Sequence, residues 1–269
     1  MKLFRTQFSF VAENNGRLPG FTGNLVRGFL GEYLWQHDKE LYDILFEKKL
    51  LREQFPGHAE YPSPFVLYAH YKPGGQYRTG DEFSFLLGFW NNHKHYYPRL
   101  VELLMQNPAV ELENGLKLRF QGSRNLPSPF THQPSIDWNN CQQLSTTRKV
   151  LQIKWQSPAV FHSTTEPSFA DFLRSLQARF NFLQVFFGSG EVLPLPDPTT
   201  IQTLECHLKF VRIPHRHRSG QVYAINDWTG FWKIFHPGAF KPWYPLLVFG
   251  QYMQTGHRTS AGFGKYRLI

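Results

Sequence analysis

The sequence predicts an α+β protein made of two tandem ferredoxin-like (RRM-like) domains, with a C-terminal glycine-rich loop. Three observations predict it. Strand and helix patterns over the first part of the chain follow the order β-α-β-β-α-β. The same order recurs after a stretch rich in Pro, Ser, Asn and Gln, as a repeat of order and not of residues. The chain then closes on an apolar helix pattern at 245–254, the run Gly256-His-Arg-Thr-Ser-Ala-Gly-Phe-Gly264, and a final alternating strand at 265–269. The expected layout is a first domain at 1–125, a linker at 126–148 and a second domain at 149–269.

In chain order, residues 2–11 alternate as a strand and 14–23 are turn-rich. Asn24 is placed to cap a helix whose apolar positions Leu25, Phe29, Leu30 and Leu34 keep helical spacing and which ends near His37 and Asp38. Residues 39–52 continue as a second short helix with Leu41, Ile44, Leu45 and Leu50 on one face. Strands at 65–71 and 82–89 flank a connection marked by Pro73-Gly-Gly and Thr79-Gly80. A helix at 97–106 and a strand at 116–121 complete the first unit, and 122–147 reads as a linker or long loop. The second unit has a strand at 150–156, an amphipathic helix at 168–187 and a turn-rich excursion at 188–198. A strand pair at 204–213 and 221–225 surrounds a basic connection, and 228–235 adds an extra strand.

Composition narrows the partners. The formal charge is +9 with a pI near 9.5, which favours a polyanion. Aromatic residues are abundant, with 26 Phe, 12 Tyr and 7 Trp, a combination that suits RNA, whose bases stack on rings and whose phosphates attract cations. No window reaches the apolar length of a membrane span, and the first residues run into a strand pattern rather than a signal peptide. Cys141 and Cys206 lie too far apart to suggest a disulfide framework or a zinc site. A cytoplasmic protein is expected.

Two stretches carry chemistry. Glycines at 256, 262 and 264 let backbone N–H groups approach an anion, with Thr259, Ser260, His257 and Arg258 beside them; the same spacing fits a helix C-cap followed by a tight turn. His207, Lys209, Arg212, His215, Arg216, His217 and Arg218 form a basic hairpin, which reads either as a nucleic-acid contact or as a solvated tip. His215 and His217 lack a third ligand in the motif. P-loop, dinucleotide and His-Glu-x-x-His motifs are absent from the sequence, so neither metal nor cofactor is expected.

The run from Arg218-Ser219 through Gly230 and Pro245-Leu-Leu to Gly256…Thr259-Ser260…Gly262-Phe-Gly264 resembles the signature of the CRISPR-associated repeat-processing endoribonucleases, in the repeat-associated mysterious protein (RAMP) superfamily. Leu18-Pro-Gly…Leu25-Val-Arg27-Gly28, Tyr77…Gly80-Asp81…Phe83-Ser-Phe, Ser157-Pro158-Ala159 and Arg179-Phe…Leu183 are similar to further family positions. Residues 107–115 depart from the family in having fewer glycines. The resemblance implies a metal-independent endoribonuclease that matures guide RNA from CRISPR repeat RNA. The 2′-hydroxyl attacks the adjacent phosphate, leaving 2′,3′-cyclic phosphate and 5′-hydroxyl ends.

The family histidine lies at or just after the first helix, which implies His37 as general acid/base, Tyr33 one turn earlier as its orienter and Lys48 as electrostatic support. Lys39 and Lys49 are further cations near it, and Arg27, His58 and His257 are alternative catalytic positions. Read without the family, His37 is a helix C-terminal histidine balanced by Asp38, Tyr33 a core residue and Lys48 a solvated helix charge. The implied RNA-binding set is Arg27, Lys209, Arg212, Arg216, Arg218, Gly256, His257, Arg258, Thr259, Ser260, Gly262 and Gly264. A monomer or homodimer is expected, with other CRISPR effector subunits as further partners. The alternative function is a non-catalytic RAMP subunit that holds or caps guide RNA. A general tandem RRM protein is disfavoured by the lack of an Arg/Lys-Gly-Phe-Gly-Phe strand motif.

Overall fold

The computed structural model of the chain describes residues 1–68, 75–159, 161, 166–216 and 222–269. It divides into two compact units, 1–136 and 137–269.

In the first unit, β1 (Lys2–Ala12) turns Phe8 and Phe10 inward by strict alternation. It pairs antiparallel with β5 (Glu82–Trp90) on one side and β7 (Lys117–Leu126) on the other. With β3 (Phe65–Tyr68) and β6 (Ala109–Glu111) the sheet order is β3-β5-β1-β7-β6. A short pair, β2 (Gly16–Arg17) with β4 (Gln76–Tyr77), stands apart. Phe8, Phe10, Phe85 and Phe120 stack into one aromatic layer, with ring centroids 5.3–6.4 Å apart. Helix α1 (Gly23–His37) adds Phe29 edge-on to Phe10 at 6.2 Å.

Two local expectations change. Helix α1 begins one residue earlier than its expected cap, because the Thr22 carbonyl already accepts from the Val26 N–H at 2.9 Å. Asn24 is thus helical, and its buried amide has no hydrogen-bond partner among the described residues. The helix expected at 39–52 is two: α2 (Lys39–Leu45), capped by Asp38 through the Leu41 N–H at 3.0 Å, and α3 (Lys49–Gln54). Lys48 between them sits in the left-handed region at φ 60°, which interrupts helical hydrogen bonding. Helix α4 (Tyr96–Gln106) completes the layer. The strand expected to reach residue 71 is seen to Tyr68, and 69–74 lie outside the described residues.

The stretch expected to be a linker is built into both units. Strand β7 runs on to Leu126, and β8 (Ser135–Asp137) pairs with β1. Asp137 then caps α5 (Trp138–Gln142), whose Trp138 packs 4.4 Å from Phe180 and 5.5 Å from Phe249. Its polar composition conceals Ile136, Trp138 and Cys141, each buried.

The second unit contains β9 (Val150–Trp155), α6 (Phe169–Phe187), β10 (Gln202–Arg216), β11 (Val222–Phe235), α7 (Tyr244–Met253) and β12 (Tyr266–Leu268). A capping box of Ser168 and Asp171 starts α6. The extra strand expected at 228–235 is the continuation of β11, since Asn226 and Asp227 stay in register opposite Arg212 and Val211. The sheet order β10-β11-β9-β12 has its second, third, first and fourth strands side by side, as β3-β5-β1-β7 does in the first unit. Both units are therefore ferredoxin-like. Phe172, Trp155, Trp232 and Tyr266 form the second aromatic core.

Candidate functional site

The last residue of α1 is His37. Its ring is exposed and packs against Tyr33 one turn earlier, with centroids 4.6 Å apart and planes tilted by 46°. Tyr33 itself is buried. Its hydroxyl donates to the Leu103 carbonyl at 2.7 Å, with the Asn107 carbonyl at 3.1 Å, so it anchors α1 to the end of α4. Burial pushes this phenol up to about 12. Asp38 belongs to Arg99, which holds both its carboxylate oxygens at 2.5–2.6 Å and also reaches Glu40 at 3.1 Å. The expected Asp38 balance for His37 is thereby spent elsewhere, and no hydrogen bond to the imidazole is seen among the described residues. Lys39 is ion-paired with Asp43 and lies 4.0 Å over Trp35.

Lys48 does not join His37. Its ammonium donates to the Tyr61 carbonyl at 2.6 Å. Burial first, then the charges of Arg27 and Arg52, hold it below the usual lysine value. Arg27 lies 4.8 Å over the Phe46 ring and Arg52 5.9 Å over Tyr61, while His58 stands 6.1 Å from the same Tyr61 ring. Arg27 and Arg52 thus crowd Lys48 with positive charge, which Glu60 and Glu47 partly offset. Arg27 precedes His37 by ten residues on α1, about 15 Å of helix. The structure therefore separates the expected trio into a His37–Tyr33 pair and a Lys48–Arg27–Arg52 cluster. Arg52 was missed in sequence because an isolated helix arginine carries no pattern.

In the second unit the glycine loop follows α7. Gly256, Gly262 and Gly264 all have positive φ, as do Gln254 and Arg258. Gly264 is obligatory, since a Cβ there would lie 1.8 Å from the Thr255 carbonyl oxygen. The loop closes on itself. Thr255 N–H donates to Gly264 O, Ala261 to Arg258 O, Gly262 to Thr259 O and Gly264 to Pro158 O. Arg179 of α6 donates to Met253 O at 3.3 Å and to the Thr259 hydroxyl at 2.7 Å. The expected N–H cradle is consequently spent in part on the loop itself, and Thr259 is a buried support. What the loop presents outward is His257, Arg258 and the half-buried Ser260.

Asp227 of β11 went unnoticed in the sequence, where it falls between the strands expected at 221–225 and 228–235. It is fully buried, neither carboxylate oxygen has a hydrogen-bond partner among the described residues, and burial pushes it up to about 7, opposed by the charge of Arg258. On the hairpin, Lys209 and Arg212 are exposed, His207 stacks 4.7 Å from Phe231, and Glu205 pairs with Lys233 at 2.7 Å. Arg216 closes β10; the tip at 217–221, with His217 and Arg218, lies outside the described residues. Among the described residues no group of His, Cys, Asp or Glu is placed to hold a metal ion, and no helix is long and apolar enough to cross a membrane.

Residues 1–121 match a family model described as an N-terminal domain, AF_1859_N. In sequence, no curated protein matches the chain. In fold, a Cas6 product complex is similar with a TM-score of 0.61 and 21% identity, covering 100% of this chain and 100% of the other. Thermus thermophilus Cas6 is similar with a TM-score of 0.59 and 13% identity, over 99% of this chain and 98% of the other. A partial Cas6-RT-Cas1–Cas2 complex matches 100% of this chain and 46% of its own, with a TM-score of 0.66 and 13% identity. At these identities the likeness shows a shared fold.

Proposed function

We propose that the protein is a Cas6-type endoribonuclease that cuts CRISPR repeat RNA without a metal, yielding 2′,3′-cyclic phosphate and 5′-hydroxyl ends. The observation that carries this reading is the fold match to a Cas6 product complex over the whole of both chains. Its chemistry needs a base for the 2′-hydroxyl proton, an acid for the departing 5′-oxygen and cations for the charge on the phosphorane. His37, exposed at the end of α1, supplies the proton transfers. Tyr33 keeps its proton at neutral pH and has its hydroxyl committed to α4, so it acts by packing against the imidazole. Lys48, with Arg27 and Arg52, holds an RNA phosphate away from the cut rather than at it. The hairpin and the loop cations Lys209, Arg212, Arg216, Arg218, His257 and Arg258 add backbone contacts.

The test is cleavage of labelled repeat RNA in EDTA by the wild type and by His37→Ala, with the 3′ end chemistry of the product determined. Single-site cleavage that is lost in the variant while binding persists is the expected result. Cleavage by both proteins moves the proton transfer to Arg27, His58 or His257. Binding without cleavage by the wild type overturns the nuclease and leaves a guide-holding subunit.

A further inference from the structure

The face of the hairpin that looks toward α6 is only partly covered. Along it the paired residues are Cys206 with Trp232, Leu208 with Gly230, Phe210 with Trp228, and Arg212 with Asn226. Phe169 and Phe172 of α6 lie over Trp232, at 6.0 and 5.5 Å, and bury it. Beyond it no ring of α6 lies over the face among the described residues. Gly230 bears no side chain, and a Cβ there would meet the His207 carbonyl oxygen at 1.9 Å. Next comes Phe210, 46% exposed, its ring held edge-on 5.3 Å from Trp228. Arg212 and Asn226 follow as an exposed cross-strand pair.

The phenyl ring, held in place by the indole, presents a flat apolar surface to solvent. Its surroundings indicate what it can bind. Arg212, exposed, lies two residues on along the same face, while Lys209 alternates to the opposite face of the strand. The nearby acids are engaged or buried: Glu205 pairs with Lys233, Glu166 accepts from the Cys206 thiol at 3.0 Å, and Asp227 is inaccessible. A flat apolar surface with a cation and an amide at its rim matches a nucleotide, with the base on the ring, the phosphate on the guanidinium and the base edge within reach of an amide.

We propose that Phe210 and Trp228 form a stacking shelf for one unpaired nucleobase of the bound RNA, with Arg212 on its phosphate and Asn226 at its edge. This deepens the nuclease reading and rests on it for the identity of the RNA, though not for the shelf itself.

The test uses the full chain with Phe210→Ala, Phe210→Tyr and Arg212→Gln. Repeat RNA and a generic single strand are labelled with 2-aminopurine at each unpaired position in turn. One position is expected to be quenched by the wild type and by Phe210→Tyr. Phe210→Ala loses that quench and binds roughly 5- to 100-fold more weakly, in keeping with one stacked base, with a small fall in thermal midpoint, since the half-exposed ring gives up its contact with Trp228. Arg212→Gln lowers the salt slope of binding by roughly 0.7, one single-strand contact's worth. An unchanged quench in Phe210→Ala overturns the shelf, as does an equal loss of affinity for a fully paired RNA. If that variant instead alters only self-association, the ring is a protein contact. Phe210-dependent quenching of the single strand without cleavage of the repeat keeps the shelf and overturns the nuclease. Absence of binding to either RNA overturns both.

Discussion

At the scale of single residues, Asp227 makes the sharpest prediction. A free carboxyl releases its proton near pH 3.9, whereas the folded Asp227 holds it to about 7. Between those values the folded chain binds the extra proton, so stability falls as pH rises from about 4 to about 7 and is flat above. Asp227→Asn is expected to abolish that slope. It should match the wild type near pH 4 and exceed it above pH 7 by up to about 4 kcal/mol, read from urea unfolding across the range. Parallel pH curves for the two proteins would reject the buried, unpaired carboxylate. Tyr33→Phe separates anchoring from orientation. Losing the hydroxyl bond to Leu103 should cost about 1 kcal/mol of stability, while single-turnover cleavage stays near wild type because the ring remains against His37. A large loss of cleavage with unchanged stability would instead give the hydroxyl a direct part in the reaction.

At the scale of elements, glycines decide. Gly264 closes the loop between α7 and β12, and its Cβ would lie 1.8 Å from backbone at a positive φ. Gly264→Ala should therefore destabilise the second unit by more than about 2 kcal/mol and weaken RNA binding through His257 and Arg258. Gly28 on α1 is the counter-case, an exposed position where a Cβ would meet nothing within 4 Å. Gly28→Ala should raise stability by about 0.5–1 kcal/mol. Denaturation midpoints of the two variants shifting in the same direction would contradict this contrast. The strand and helix order was legible because Phe8, Phe10, Leu30, Leu34, Phe172 and Leu176 repeat at strand or helix periods. The boundary at 136–137 was not, because Trp138 is one buried ring within a polar run.

At the scale of the whole molecule, both units reach the same strand order from unrelated residues, with a phenylalanine layer in one and Trp155, Trp232 and Phe172 in the other. With a formal charge of +9, binding of the proposed RNA is expected to depend on salt. Replacing Arg216 and Arg218 together by Gln should weaken binding and reduce the slope of log affinity against log salt by about 1.4, two single-strand contacts' worth. An unchanged affinity and slope would remove the hairpin tip from the RNA path.

Periodicity, charge and local spacing are properties of neighbouring residues. They were enough for the α+β class, the doubled element order, the basic and aromatic character, and the position of His37 at a helix end. Which of those residues meet was settled by the folded chain alone. It gave Asp38 to Arg99, set Lys48 beside Arg27 and Arg52 instead of His37, spent part of the loop N–H groups on the loop, and left Asp227 buried without a hydrogen-bond partner among the described residues. Those outcomes depend on which strands lie side by side and where helical cover stops, and contacts between residues far apart in the chain leave no period to read.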